Sequence, residues 1–230
     1  MLRHFIGTDM ARKVLWLRSR PGPLRDYYAV DYPTLDTPWM DVEFLAIDLE
    51  TTGLNPDQDE IVSIGYAPIR KGAVVFAEAD HLLARPTCPI PESSAVIHGL
   101  LDRHVESAPP LAAILPQVLA AMTGRVPIAH FAEIERSFLD AACRRYLGRP
   151  LLVPYVDTLR IEKRVMERRQ DAITRGALRL HASRERYNLP RYKAHDACVD
   201  AIAAGELFLA QVAHMDTKRP PRLEEVITMG

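Results

Sequence analysis

Two acidic residues lie one position apart at the end of an apolar segment. They are Asp48 and Glu50, which follow the apolar residues 44–47 and precede Gly53. Because side chains alternate along a β-strand, both carboxylates are expected on one face, with Cβ atoms roughly 7 Å apart. Carboxylates at a buried strand end repel one another, so a hard divalent cation is the usual reason to hold them together. The pattern indicates a metal site, and a solvated strand end followed by a turn is the alternative.

Three more ionisable side chains lie at predicted element boundaries, where open α/β sheets bind ligands. Glu135 falls in the opening turn of a helix that follows the predicted strand 126–129, although the helix dipole alone would favour an acid there. His195 and Asp200 lie at the start of the last predicted helix. Residues five apart on a helix differ by about 140°, so His195 is expected on the lead-in segment, facing the same cleft from another side.

Hydrophobic periodicity predicts the elements that must position these groups. Strands are predicted at 44–48, 61–69, 73–83 and 126–129, with a hairpin turn at Arg70-Lys71-Gly72. Helices are predicted at about 110–122, 131–147, 158–170, 177–186 and 196–213. The segment 90–99 is interpreted as a packed turn. The strand-then-helix alternation predicts an α/β fold, a mixed sheet with helices on its faces.

Residues 1–42 and 214–230 differ from the domain at 43–213. The first segment carries four prolines around a short predicted helix from Asp9 to Arg18, in which Met10, Val14 and Leu17 share one face. We interpret it as an N-terminal arm packed on the main domain, with contact to a protein partner as the alternative. The C-terminal tail, from Asp216 onward, is expected to be a loosely held end.

Composition limits the class of protein. The chain has 230 residues, 48% of them hydrophobic, which suits one globular domain of ordinary size. It contains no run of eighteen apolar residues and no charged-then-apolar leader, so we expect a cytoplasmic protein with no membrane contact. Cys88, Cys143 and Cys198 lack the paired spacing of a zinc site or a disulfide framework, and we expect them to be reduced.

Charge is unevenly distributed along the chain. The formal net charge is -1, but the segment 160–193 contains eleven Lys or Arg residues against four acids. This excess suits a phosphate-facing stripe. A solvated helical face with internal ion pairs, such as Glu162 with a neighbouring arginine, is the alternative for any one of these residues.

Taken together, the motifs resemble those of the DnaQ-like 3'-5' exonucleases of the DEDDh group, with an RNase H-like fold, which include the exonuclease domain of the DNA polymerase III epsilon subunit. The resemblance covers roughly residues 43–213. The histidine subgroup is indicated because His195 lies five residues before Asp200, whereas the sister group has a tyrosine at the position of Asp196. The matching segments are Asp48 to Gly53, Ile97-His98-Gly99, His130 to Leu139, Val156 to Leu159, and His195 to Asp200.

This resemblance implies a set of site residues and a reaction. Asp48, Glu50 and Asp200 are expected to bind two divalent metal ions directly, with Glu135 completing the cage, and His195 is expected to take a proton from water. Mg²⁺ is expected, with Mn²⁺ as a substitute. The substrate would be the 3' end of single-stranded DNA or RNA, with DNA favoured, and the product a nucleoside 5'-monophosphate. The residues expected to bind the terminal nucleotide are Thr51, Gly53, Leu54 and His98.

Two residues depart from the family pattern. Glu135 stands where the family has aspartate, and Phe131 stands where it has asparagine. We expect retained activity, because glutamate keeps the charge while adding one methylene. Weakened binding of one metal is the alternative, which would make the chain a nucleic-acid-binding or scaffold protein of the same fold. An RNA-processing role and DNA proofreading or repair all remain open at this point.

Overall fold

The computed structural model describes residues 2–193, 195–215 and 219–227, and the side chains in these ranges other than those of 2–9, 97 and 98. Its elements, in chain order, are α1 (Leu2–Arg18), α2 (Pro23–Ala29), β1 (Phe44–Thr51), β2 (Ile61–Arg70), β3 (Ala73–Val74), β4 (Asp80–Leu83), α3 (Glu92–His98), α4 (Asp102–Val105), α5 (Leu111–Met122), β5 (Val126–Ala129), α6 (Glu133–Leu147), β6 (Val156–Asp157), α7 (Thr158–Arg169), α8 (Leu180–Arg186), α9 (Ala197–Ala213) and α10 (Leu223–Val226).

The strands form one mixed sheet in the order β3-β2-β1-β5-β6, with β4 also pairing with β2. β1 is antiparallel to β2 and parallel to β5, and β5 is parallel to β6. The central strands β1, β2 and β5 are apolar and largely buried, so helices must cover both faces of the sheet. The predicted mixed α/β sheet with flanking helices is confirmed.

α9 packs on β1 and β2 at unusually close range. The rings of Phe44 and Phe208 are 5.0 Å apart, and a Cβ added at Gly205 would lie 3.0 Å from the Cβ of Ala46. Closer to the start of the helix, a Cβ on Gly65 would collide with the backbone of Ala197. α9 therefore runs antiparallel to β1, and small residues let its first turn rest directly on the sheet.

The N-terminal helix is anchored by Arg12, which is 4% exposed. Its guanidinium lies 4.3 Å from the ring centroid of Tyr32 and donates hydrogen bonds to the carbonyl oxygens of Val30 and Leu152 at 3.1 and 3.2 Å. The guanidinium also lies over the rings of Tyr27 and Tyr28. A buried charge needs such partners, because water cannot reach it. The helix is longer than predicted, since it begins at Leu2.

Several predicted boundaries were wrong for local reasons. The strand predicted at 73–83 is broken by a 3-10 turn at Phe76–Glu78. Extending the β3 register would place residue 77 opposite Tyr66, but Asp80 is found there, so three residues are inserted. The segment 90–99, interpreted as a packed turn, contains the helix α3.

The C-terminal residues 219–227 are not a loosely held end. Leu223 and Val226 are fully buried, and the Leu223 N–H donates to the Thr37 carbonyl oxygen at 2.9 Å. The four-residue helix α10 is too short to show a helical period, which explains why the sequence did not predict it. Among the described residues, no helix is both long and apolar enough to cross a membrane.

The contact between Gly65 and α9 makes a stability prediction. Gly65→Ala should destabilise the fold by about 1–3 kcal/mol, because its methyl group meets backbone that cannot rotate away. Gly205→Ala is the comparison variant and should cost less, since its methyl group would lie 2.9 Å from the movable tip of Ile69 and 3.0 Å from the Cβ of Ala46, against 2.1 Å from helix backbone at Gly65, and alanine favours the helix. The free energy of unfolding in urea measures both. Equal losses for the two variants would contradict the close contact at Gly65.

Candidate active site

The strand β1 presents the two acids predicted from the sequence. Asp48 and Glu50 are partly exposed on either side of the buried Leu49, as alternation requires. Asp48 pairs in register with Gly65, the glycine on which α9 rests. This pairing brings the start of α9 close to the two carboxylates.

His195 and Asp200 reach the same point from the start of α9. The Asp196 carboxylate caps this helix by accepting hydrogen bonds from the Cys198 and Val199 N–H groups, both at 3.1 Å. Ahead of the cap, His195 has a φ of 68°, and its N–H donates to Asp200 Oδ2 at 2.7 Å. This left-handed backbone conformation places His195 outside the helix, on the lead-in segment where the sequence predicted it.

Ligand atoms from three of the predicted site residues converge. One atom each from Glu50, His195 and Asp200 lies within 4.8 Å of the others. Glu50 comes from β1, whereas Asp200 in the first turn of α9 and His195 just before that helix lie about 150 residues later in the sequence. The hydrogen bond from the His195 N–H to Asp200 is local, but the approach of both residues to Glu50 depends on the packing of the helix on the sheet.

Glu135 supplies a fourth carboxylate from α6. Its side chain is 3% exposed, and its Oε2 has no hydrogen-bond partner among the described residues. Asp157 lies near it, capping α7 and accepting a hydrogen bond from the Phe131 N–H at 3.1 Å. We refer to Asp48, Glu50, Glu135 and Asp200 as the acidic corner.

Burial and mutual repulsion raise the pKa values of the acidic corner. For Asp48, burial followed by the charges of Glu135, Glu50 and Asp200 raises the pKa well above its ordinary value. Burial followed by the charge of Asp200 raises the pKa of Glu50 to about 7. For Glu135, burial raises the pKa to about 8, with a further contribution from Asp157. Burial also raises the pKa of Asp200, against the hydrogen bond from the His195 N–H.

The donor set of the acidic corner fits hard divalent cations. Carboxylate oxygens are the ligands that Mg²⁺ and Mn²⁺ prefer, and the unpartnered Glu135 Oε2 is an oxygen that the protein itself leaves unsatisfied. Concentrated negative charge with raised pKa values is typical of a functional site. The chemistry of the residues is therefore consistent with a metal centre at this point.

The residues expected to bind the terminal nucleotide lie on the segment after β1. Leu54 is 79% exposed, and the Thr51 hydroxyl donates to the Gly53 carbonyl oxygen at 2.6 Å. A Cβ at Gly53 would collide with the Asp59 carboxylate, which gives an intramolecular reason for glycine there. His98 ends α3, and its side chain lies outside the part of the chain that the structure describes.

Two positioning residues lay in the matching motifs, but no role was predicted for them from the sequence. Asp157 lay within a matching motif, but its double role as helix cap and neighbour of Glu135 requires the fold. His130 is also structural, because its imidazole is hydrogen-bonded to Thr158 Oγ1 and to the Leu178 carbonyl oxygen, both at 2.8 Å. The one sequence pattern that could have indicated these roles is a polar residue at the end of a buried strand.

The ion pair expected for Glu162 has a more distant partner than a helical neighbour. Glu162 Oε1 pairs with Arg186 Nε of α8 at 2.7 Å, so it joins two helices. Arg184 similarly pairs with Glu206 of α9 at 2.9 Å. Part of the basic excess at 160–193 is therefore structural.

The raised pKa values predict how stability depends on pH in EDTA-treated protein. Glu50 and Glu135 are protonated in the folded state up to about pH 7 and pH 8, whereas the unfolded chain ionises near pH 4.5. The unfolded state therefore binds fewer protons in this window, and stability should fall as pH rises, by about 1.4 kcal/mol per pH unit for each such group.

Urea unfolding at several pH values between 5 and 8 measures this slope. Glu135→Gln should flatten it, and the difference between the two proteins isolates Glu135 from His130, whose pKa is lowered by burial and which acts in the opposite direction. Adding Mg²⁺ at pH 8 should restore stability to the wild type. A stability that rises steadily with pH, equally in both proteins, would contradict the electrostatic description.

Comparison with known proteins agrees with the fold and the motifs. The chain is 28% identical over 191 residues to the PolC-type DNA polymerase III of Thermotoga petrophila. The matched region covers 83% of this chain but 13% of the polymerase. This chain thus spans about an eighth of the length of that relative.

Two solved structures share the fold. The nuclease domain of 3'hExo, a DEDDh family member bound to rAMP, has a TM-score of 0.63 at 15% identity, covering 78% of this chain and 95% of that one. E. coli exonuclease I in complex with a dA16 oligonucleotide has a TM-score of 0.64 at 16% identity, covering 80% and 42%.

The family follows from a longer match. The family model for exonucleases of the RNase T type matches residues 45–208, which include every residue of the acidic corner and His195. The RNase H-like fold expected from the motifs is confirmed by the solved structures. The chain belongs to this exonuclease family, as a DnaQ-like member.

Proposed function

We propose that the chain is a 3'-5' exonuclease that hydrolyses the phosphodiester bond nearest the 3' end of single-stranded nucleic acid. The observation that carries this proposal is the convergence of Glu50, His195 and Asp200, with ligand atoms within 4.8 Å, beside the partly exposed Asp48 and the buried Glu135. Family membership supports the class of reaction, and dependence on divalent metal is a property of that family.

The roles of the residues follow from their chemistry. Asp48, Glu50 and Asp200 would hold two divalent ions, Mg²⁺ or Mn²⁺, with Glu135 beside them. Such ions lower the pKa of bound water and stabilise charge on the leaving oxygen. His195 is exposed, next to Asp200, and would accept the proton that the attacking water loses. The water oxygen would bond to phosphorus as the bond from phosphorus to the 3' oxygen of the preceding nucleotide breaks. That 3' oxygen would take up a proton from solvent, and a nucleoside 5'-monophosphate would leave.

Single-stranded DNA is the substrate that we favour. The curated relative is a DNA polymerase, and exonuclease I was solved with a DNA oligonucleotide, whereas 3'hExo was solved with rAMP. Exposed Leu54, on the segment after β1, would contact the terminal base, and Thr51, Gly53 and His98 would complete that subsite.

Removal of single site residues tests the proposed chemistry. Asp200→Ala should reduce metal-dependent release of mononucleotides below detection, and His195→Ala should lower the rate by roughly 10²- to 10⁴-fold. The measurement is release of the labelled nucleotide from a 3'-end-labelled single strand in Mg²⁺. Asp171→Ala, an exposed acid after α7, is the matched control and should retain full activity. Unchanged digestion by either site variant would overturn the assignment.

A side-by-side digestion tests the substrate. We expect single-stranded DNA to be degraded fastest, followed by duplex DNA with a mismatched 3' end, because the terminal nucleotide must leave its partner strand to enter the site. Matched RNA should be degraded more slowly. Products are sized so that release of mononucleotides is distinguished from internal cleavage. Faster digestion of RNA would reverse the substrate assignment while leaving the reaction unchanged.

A nucleic-acid-binding protein without efficient turnover is the second candidate, and Glu135 is the observation that favours it. Compared with the aspartate of the family pattern, its extra methylene changes the reach of the third acid, which would weaken binding of one metal ion. Titration with Mn²⁺ separates the two candidates. Binding of single strands without turnover at any Mn²⁺ concentration would favour the binding protein.

The partner contact expected for the N-terminal arm stays a prediction. Met10 and Leu17 of α1 are 66% and 69% exposed, so part of the predicted apolar face is accessible. The domain limits at 43 and 213 and the cytoplasmic location also stay predictions.

A further inference from the structure

A groove of about 910 Å³ opens beside the acidic corner. His195 and Asp200 line it, together with residues of α7, α8 and the connecting segments 173–179 and 189–192. Much of the wall is apolar, with contributions from Leu159, Ile173 and Leu178. The groove is therefore continuous with the proposed site of hydrolysis, and the structure leaves it open to solvent.

Phe131 lines this groove in an unfavourable conformation. Its φ is 75°, a left-handed value that is rare for a bulky side chain, and the side chain is 49% exposed. The backbone is held there by the hydrogen bond from the Phe131 N–H to Asp157 Oδ1. Neither backbone preference nor burial explains a phenylalanine at this position. Such strain next to a reactive site points to a role in binding.

The groove also offers positive charge and a second aromatic ring. Arg179 and Arg191 line it, both exposed, and neither forms an ion pair with any residue that the structure describes. Tyr192 is 38% exposed and is held in place by the Arg184 guanidinium, 4.5 Å from its ring centroid. Apart from Asp200, the acid that lines the groove is Glu185.

One class of ligand combines flat aromatic faces with regularly spaced negative charges. In single-stranded nucleic acid, the bases stack on aromatic side chains and the phosphates approach arginines. Thr51, Gly53 and Leu54, proposed above to bind the terminal nucleotide, are not among the residues that line the groove, whereas Phe131 is, so the groove would contact a different nucleotide. The part of the strand that must continue away from the acidic corner is the part upstream of the scissile phosphate.

We propose that the groove binds the nucleotide immediately upstream of the scissile phosphate, with the base of this nucleotide stacked on Phe131. The phosphates further toward the 5' end would lie near Arg179 and Arg191. This proposal rests on the proposed exonuclease function. Stacking tolerates any base, so the subsite would read the presence of an unpaired base and not its identity. The asparagine of the family pattern has no such surface, so this contact would be particular to the chain.

An abasic substrate isolates the stacking contact. We would compare a single-stranded DNA 12-mer with versions that lack the base at the second or the third position from the 3' end. The proteins are wild type, Phe131→Ala, Phe131→Trp, and Phe76→Ala, a matched control whose exposed ring does not line the groove. Binding is measured by fluorescence anisotropy in EDTA, and the rate of the first cleavage is measured in Mg²⁺.

Wild type should lose roughly ten-fold in affinity and in first-cleavage rate when the second base is missing, with a much smaller loss for the third. Phe131→Ala should show the same loss on the intact strand and no additional loss on the abasic one. Phe131→Trp should restore the difference in affinity and rate between the intact strand and the strand that lacks the second base. Phe76→Ala should match wild type on every strand.

Additive losses would overturn the subsite, because Phe131 would then act on the fold and not through the base. Equal binding of all strands by wild type and Phe131→Ala would overturn it as well. Failure of the exonuclease proposal has a different signature: Phe131-dependent binding would persist, without any cleavage by wild type in Mg²⁺ or Mn²⁺.

Discussion

The close packing of α9 on β1 and β2 forces carboxylates from distant parts of the chain into one desolvated corner. Gly65 and Gly205 permit the approach, and Asp48 pairs with Gly65 directly beneath the first turn of the helix. The strongest influences on Asp48 are burial and the neighbouring carboxylates, so its charged form is disfavoured in the protein alone. A divalent cation would reverse this balance. The packing of the sheet and its helices thus holds the carboxylates close together despite their repulsion, in an arrangement that favours a bound cation.

The helix caps and hydrogen bonds around this corner fix its geometry. Asp196 holds the start of α9, and the left-handed His195 directs its own N–H toward Asp200. Asp157 links the start of α7 to the backbone of Phe131. Because Asp48 and Glu50 lie on a paired strand and Asp200 lies in the first turn of a capped helix, these side chains are positioned by rigid elements. Sites built in this way hold their geometry better than sites on loops.

Much of this organisation was predictable from the sequence. Alternation along β1 placed Asp48 and Glu50 on one face, and helical geometry placed His195 ahead of α9. Long periodic segments such as α5 and α6 were found to within two residues. What could not be predicted depends on contacts distant in sequence. The steric need for glycine at position 65 comes from α9, and the pairing of Glu162 with Arg186 comes from the packing of α7 against α8. The four-residue α10 and the inserted turn at 76–78 are too short to produce a period.

The two departures from the family pattern lie four residues apart, on one side of the site. Glu135 is fully buried with an unpartnered oxygen, and Phe131 is half exposed in a strained conformation. They would act on different parts of the reaction, the first on metal binding and the second on the strand that enters. Substrate contacts in the groove can therefore vary without altering the carboxylates.

Two divalent metal ions are proposed to bind at the acidic corner. Anomalous diffraction from a crystal of the protein soaked in Mn²⁺ tests this binding most directly, because manganese gives an anomalous signal that carbon, nitrogen and oxygen do not. We predict two anomalous peaks, one contacting Asp48, Glu50 and Asp200 and a second contacting Asp48 with Glu135 nearby. A crystal of accessible, ordered protein with no peak at this corner, or with peaks bound only elsewhere, would contradict the account.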